Sequence, residues 1–160
     1  MAFTNYGGVD VSEGITLNAS TTVIDSNGLL NTGSIASNET VTATNVLTAA
    51  ESGKVCFLSS ATEFVSTLPA PAAGLHFTFI VAAAPSGANY TVVTNASANV
   101  IEGLVVVNGA SVPGANEDTI SFVSAAAVVG DWCKVVSDGT SWFVSGQGSA
   151  AGAITLTQVS

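Results

Sequence analysis

From about residue 49 onward the hydrophobic pattern becomes regularly strand-like, and some segments follow the period of two that a half-buried strand requires. In "LHFTFIV", Leu75, Phe77, Phe79 and Val81 fall on one face, with His76 and Thr78 on the other. The first set is expected in a core. "NYTVVTN" sets Tyr90, Val92 and Thr94 against Thr91, Val93 and Asn95 in the same way. Strand-like runs rich in β-branched and aromatic residues recur at 54–60, 63–69, 74–84, 89–95, 99–109, 118–125, 130–137, 140–146 and 152–157. Turn residues separate them: Pro69, Pro71 and Gly74, then Pro85, Ser86 and Gly87, then Pro113 and Gly114, then Asp138 and Gly139. No stretch carries a helical period, and "LTAAESG" at 47–53 has room for a single helical turn. Many short strands at such spacing predict an all-β fold, an antiparallel β-sandwich or jelly-roll-like domain over residues 49–160.

Residues 1–48 have another texture. They are rich in Ser, Thr, Asn and Gly, and their apolar residues are scattered: Val9, Val11, Ile15, Leu17, Val23, Ile24, Leu29, Leu30 and Ile35. Short β segments are expected at 14–17 and 21–25. Too few apolar groups are present for a separate core, and the pattern predicts an extended N-terminal arm that orders on a partner surface.

The stretch "GDWCKVVSDGTSWFVSG" at 130–146 holds an Asp-Gly pair between two β runs, a strong hairpin signal. A two-residue turn would pair Ser137 with Thr140, Val135 with Trp142 and Cys133 with Val144. One face then carries Cys133, Val135, Trp142 and Val144, and is assigned to the core. The other carries Trp132, Lys134, Val136, Ser141 and Phe143. It would bring Trp132 and Phe143 within diagonal reach around Lys134. Two aromatics on an outer face predict a second buried layer, so Trp132 and Phe143 are the candidate subunit-interface residues.

Composition sharpens this expectation. Charged residues make up 8% of the 160-residue chain, hydrophobic residues 48%, and the mean hydropathy is +0.55. No apolar run approaches the ~20 residues of a spanning helix, so no membrane partner is expected. "MAFTNYGGVD" has neither the basic nor the apolar segment of a secretory signal. Lys54 and Lys134 are the only strong bases against eleven acidic residues, for a net charge of −9. Nucleic acid is therefore not an expected partner, because phosphate binding needs clustered bases. With so little charge to face water, much of the surface is expected to lie against other protein. Cys56 and Cys133 read either as two small buried apolar side chains or, in an oxidising compartment, as a disulfide between neighbouring strands.

Chemistry is sparse. His76 is the only histidine, and on the polar side of its strand it is expected to be a surface or interface residue rather than a base beside a nucleophile. There is no G-x-S-x-G elbow, phosphate-binding glycine loop or Cys/His metal cluster. Glu117–Asp118 follows Pro113-Gly114 and is expected in a solvated loop, while Asp10 and Glu13 form only a loose pair. No catalytic, metal or cofactor site is expected, and the chain is read as a non-enzyme.

The run from about residue 49 to 157 resembles a segment recurring in proteins of tailed bacteriophages, especially those of marine and cyanobacterial hosts. The matching parts are "LTAAESGKVCFL", "TLPAPAAGLHFTFIVAAAP", "YTVVT", "IEGLVVVNG", "GDWCKVVSDGTSWFVSG" and "GAITLT". This texture is similar to that of small β-rich virion proteins that decorate or cement capsids. The resemblance implies a homotrimer on the outer capsid surface, made in the host cytoplasm. Its partners would be the major capsid protein and copies of itself. The arm, with Phe3, Tyr6, Val9 and Val11, would reach neighbouring capsid subunits by strand addition. Similar "SDGTSW" hairpins occur in tail-fibre and tailspike modules, which implies the alternative of a receptor-binding tip recognising a host glycan.

Overall fold

The computed structural model describes residues 15–17, 21–24, 38–60 and 62–159. The chain divides into two compact units, 1–37 and 38–160. In the first, β1 (Ile15–Leu17) and β2 (Thr21–Ile24) pair antiparallel, with an irregular register between Ile15 and Thr16. Both match the short β segments expected there. The candidate arm contacts Phe3, Tyr6, Val9 and Val11 lie outside the described residues, as do Asp10 and Glu13.

The second unit is all-β. Its strands are β3 (Asn38–Val41), β4 (Asn45–Val46), β5 (Val55–Leu58), β6 (Phe64–Thr67), β7 (His76–Val81) and β8 (Tyr90–Val93). They are followed by β9 (Ile101–Val107), β10 (Ala110–Glu117), β11 (Thr119–Phe122), β12 (Trp132–Ser137), β13 (Trp142–Gly148) and β14 (Ile154–Thr157). The strand-forming body thus begins at Asn38, ahead of the change of texture at residue 49. The helical turn expected at 47–53 is a 3-10 turn at Ala49–Glu51, where the Thr48 N–H and hydroxyl both donate to Glu51 Oε2 at 2.8 Å.

The strands form a seven-stranded sheet, ordered β10-β9-β13-β12-β7-β5-β3, and a five-stranded sheet, ordered β14-β11-β8-β6-β4. Both are mixed, which corrects the expectation of antiparallel sheets. From β3 to β8 the chain alternates between the two. Successive visits lie parallel: β3 with β5, β5 with β7, β4 with β6 and β6 with β8. Parallel neighbours need a long crossover, usually a helix. Here a strand of the opposite sheet serves as the crossover, so parallel pairing arises without helices. β13 also pairs β9 in parallel, while the remaining pairs are antiparallel.

β10 was not among the expected strands, because Pro113-Gly114 reads as a turn. It lies at the sheet edge, where a missing N–H costs no ladder bond. The turn before it is Asn108-Gly109, both at positive φ (50° and 78°), joining Val107 directly opposite Ala110. That geometry suits a two-residue hairpin.

The core draws on both sheets. Phe77, Phe79, Val81, Cys133, Val135 and Trp142 come from the larger one; Phe64, Tyr90, Ile120, Phe122 and Ile154 come from the smaller. The inward faces read from the sequence hold on β7 and the β12–β13 hairpin, with Leu75 packed at the core's margin; on β8, where the sequence left the inward face open, it is Tyr90 and Val92 that are buried. Phe64 and Tyr90 face each other on β6 and β8 with stacked rings 4.5 Å apart. The Tyr90 hydroxyl donates to the Ser60 carbonyl at 2.6 Å and accepts the Ser60 N–H at 3.1 Å.

Two details of the opening stretch differ from expectation. The hairpin register pairs Ser137 with Trp142, Val135 with Val144 and Cys133 with Gly146. The loop is therefore four residues, 138–141, rather than two. Asp138 sets it: its Oδ1 accepts the N–H groups of Thr140 and Ser141 at 2.8 and 2.9 Å and the Thr140 hydroxyl at 2.9 Å. The slip is by two residues, so the faces are preserved. The second detail concerns the cysteines, which are both free and buried. Each sits beside Phe79, Cys56 on β5 and Cys133 on β12, with β7 between them. Two strand spacings are roughly 9–10 Å, beyond the ~7 Å Cα limit for a disulfide. The small-apolar reading of the two cysteines is the one that fits.

Candidate functional site

The outer face of the seven-stranded sheet concentrates apolar groups. Ladder pairing lays out three rows across it. The first runs Val106, Gln147, Trp132, Ile80, Phe57, Thr40. The second runs Leu104, Ser145, Lys134, Thr78, Val55, Asn38. The third is short: Glu102, Phe143, Val136, His76. Exposure is 47% for Leu104 and Phe143, 39% for Val136 and 36% for Trp132. Lys134 is the only strong base among these positions.

The corrected register separates the two aromatics. Phe143 stands opposite Val136, with Leu104 on the diagonal, whereas Trp132 stands opposite Gln147. Val136 and Trp132 are four residues apart on one strand, roughly 13 Å at about 3.3 Å per residue. The expected Trp132–Phe143 contact is therefore replaced by two patches at opposite ends of β12. One is apolar, built on Phe143, Val136 and Leu104. The other is a cleft.

That cleft has a volume of about 260 Å³ and is lined by Val129, Gly130, Asp131, Trp132, Gln147 and Ser149. Its wall is held by Asp131, which is 3% exposed. Asp131 Oδ2 accepts the Val128 N–H at 2.9 Å, and Oδ1 accepts the N–H and hydroxyl of Ser149, both at 2.8 Å. One carboxylate thus ties the loop before β12 to the residue after β13. The Asp131 carbonyl also accepts the Val81 N–H at 2.8 Å. Sequence reasoning passed over Asp131; its signal was a lone acid in an otherwise apolar run, directly after a turn glycine.

The remaining described candidates for chemistry have the following surroundings. His76 is exposed, its Nδ1 lies 3.1 Å from the Gly74 carbonyl, and its backbone N–H donates to Ser52 Oγ. Glu117 ends β10, but Asp118 is buried rather than in a solvated loop. Asp118 accepts the Thr119 hydroxyl at 2.6 Å and the Val159 N–H at 3.1 Å, which anchors the C-terminal segment. Lys54 donates to Glu39 Oε2 at 2.7 Å and also to Glu51. Hydrogen bonds from Lys54 and then Thr48 hold the Glu51 carboxyl down at about 2. Those to Glu39 and Glu51 push Lys54 up to about 12. Burial raises the Cys56 thiol to about 12 and pushes Cys133 up as well, so neither is a ready nucleophile. Among the described residues, no group of three or more His, Cys, Asp or Glu is placed to hold a metal ion. No described helix is long and apolar enough to cross a membrane.

No family model, curated protein or solved structure matches the chain.

Proposed function

We propose that the chain is a structural virion protein that decorates and cements a tailed-phage capsid. It would bind adjacent major capsid subunits as a homotrimer on the outer surface. The observation carrying this reading is the outward apolar patch of Phe143, Val136 and Leu104 on a chain in which only 8% of residues are charged. Exposed apolar groups gathered on one sheet face call for a protein cover. In this reading the body is a two-layer sandwich, the patch makes the self-contact, and the N-terminal arm, through Phe3, Tyr6, Val9 and Val11, extends over a neighbouring capsid subunit. Three arms on one trimer raise the effective concentration at the shell, so weak contacts add to a stable attachment. The work done is binding, with no reaction.

Copy number tests it. Quantitative mass spectrometry of purified virions, against the major capsid protein, is expected to give a ratio near unity or a simple fraction of it. A handful of copies per particle moves the protein to the tail, and complete absence from virions removes the reading.

A further inference from the structure

We infer that the Trp132 cleft is a binding subsite for a neutral pyranose ring of a saccharide. This goes beyond the shell reading and does not depend on it. The cleft combines an indole exposed by about a third, an exposed primary amide at Gln147 and a hydroxyl at Ser149. A pyranose has the complementary surface: an apolar C–H face for the negative face of an indole, rimmed by hydroxyls that donate and accept. The Ser149 hydroxyl proton is committed to Asp131, so its oxygen faces a ligand as an acceptor. Gln147 supplies both donor and acceptor.

The site is preorganised. Trp132 is paired on both sides, with Ile80 and Gln147, and Asp131 fixes both flanking segments. Less ordering is then required on binding. At about 260 Å³ the cleft falls below the ~300 Å³ lower end of drug-sized pockets, which suits one ring. Other occupants fit worse. A phosphorylated ligand needs bases, and none lines the cleft. An extended peptide needs a free sheet edge, whereas β12 and β13 are interior strands. The Asp131 carboxylate and the net charge of −9 disfavour acidic sugars.

The two tryptophans make the test selective, because Trp142 is fully buried and Trp132 is not. The full chain, labelled with ¹⁵N, is titrated with methyl β-glucopyranoside, methyl β-galactopyranoside, methyl α-mannopyranoside and N-acetylglucosamine. Glucuronic acid and N-acetylneuraminic acid form the acidic arm. At least one neutral sugar is expected to shift the amides of Gly130, Trp132, Gln147 and Ser149 saturably, in the millimolar range. The same sugar should reduce acrylamide quenching of Trp132 fluorescence. Trp132→Ala is expected to abolish the shifts and Trp132→Phe to weaken them several-fold, each with the amide dispersion of the folded chain retained. Phe143→Ser, on the other patch, should leave them unchanged. No saturable shift with any neutral sugar overturns the inference. So do shifts from the acidic sugars alone, or shifts that persist in Trp132→Ala.

Discussion

Lys54 is one of two strong bases in the chain, and its partners give it a defined range of action. It links β3, through Glu39, to the 3-10 turn, through Glu51. Glu51 titrates lower in the folded state, about 2 against 4.5. Its contribution is complete above 4.5 and is lost as pH falls through 2. Lys54 titrates higher, about 12 against 10.5. Its contribution is complete below 10.5 and is lost as pH rises through 12. The carboxylates are about a third exposed, so solvent screening keeps the total near 1 kcal/mol. Urea unfolding of Lys54→Met should show a loss of that order between pH 4.5 and 10.5, shrinking outside this window. At the same scale, the buried thiols of Cys56 and Cys133 should be silent to a thiol reagent in the native protein and both react after denaturation. A reductant should leave the melting temperature unchanged, because no disulfide exists to be cut.

At the scale of elements, the backbones of β9 and β13 approach closely at Gly103. Gly103 sits at φ +114°, and a Cβ there would meet the Val144 carbonyl oxygen at 2.4 Å. Gly103→Ala therefore combines an unfavourable left-handed conformation with overpacking against main chain. It should cost about 2–3 kcal/mol, read as a lower denaturation midpoint with unchanged slope. What the sequence disclosed at this scale follows from local physics. Alternation on β7 placed Phe77 and Phe79 inside, since only one of its faces is apolar throughout; on β8 Val92 and Val93 fall on opposite faces, and the alternation alone did not choose between them. The hairpin faces were legible for the same reason, and its register was not. Asp-Gly admits a two-residue turn, but the Asp138 side chain holds a wider one through three hydrogen bonds. β10 stayed hidden because Pro113 is harmless only at an edge, and edge position is a tertiary fact. The parallel pairings were hidden more deeply: a strand acting as crossover looks in sequence like any other strand.

For the whole molecule, the outward apolar patch is the feature with the largest consequence for association. If Phe143 and Val136 form a self-contact, a charge placed there is desolvated without a partner. Phe143→Asp should convert the proposed homotrimer to monomer in sedimentation velocity, with the melting behaviour of the isolated body little changed, because Phe143 is 47% exposed in it. The candidate site was partly legible. Trp132 and Phe143 were correctly placed on the outer face, because the faces survive a slip of two. Their separation into an apolar patch and a cleft was not legible, because it depends on that slip. The role of Asp131, which shapes the cleft, was only half legible: Val128 is a local partner three residues away, but Ser149 is brought to it by the hairpin.

The order of strands in the larger sheet also bears on biosynthesis. β12 and β13 occupy positions between β7 and β9, yet they are the last of its strands to be synthesised. While the chain leaves the ribosome, "HFTFIV" of β7 has β5 on one side and nothing on the other. An uncharged, strand-forming segment with an open edge is a template for pairing with another nascent chain. The gap closes only when residue 148 is available to complete β13. Synthesis through β13 and protection of the β7 edge are thus one requirement, and a chain interrupted before β13 leaves that edge open to pairing with another chain.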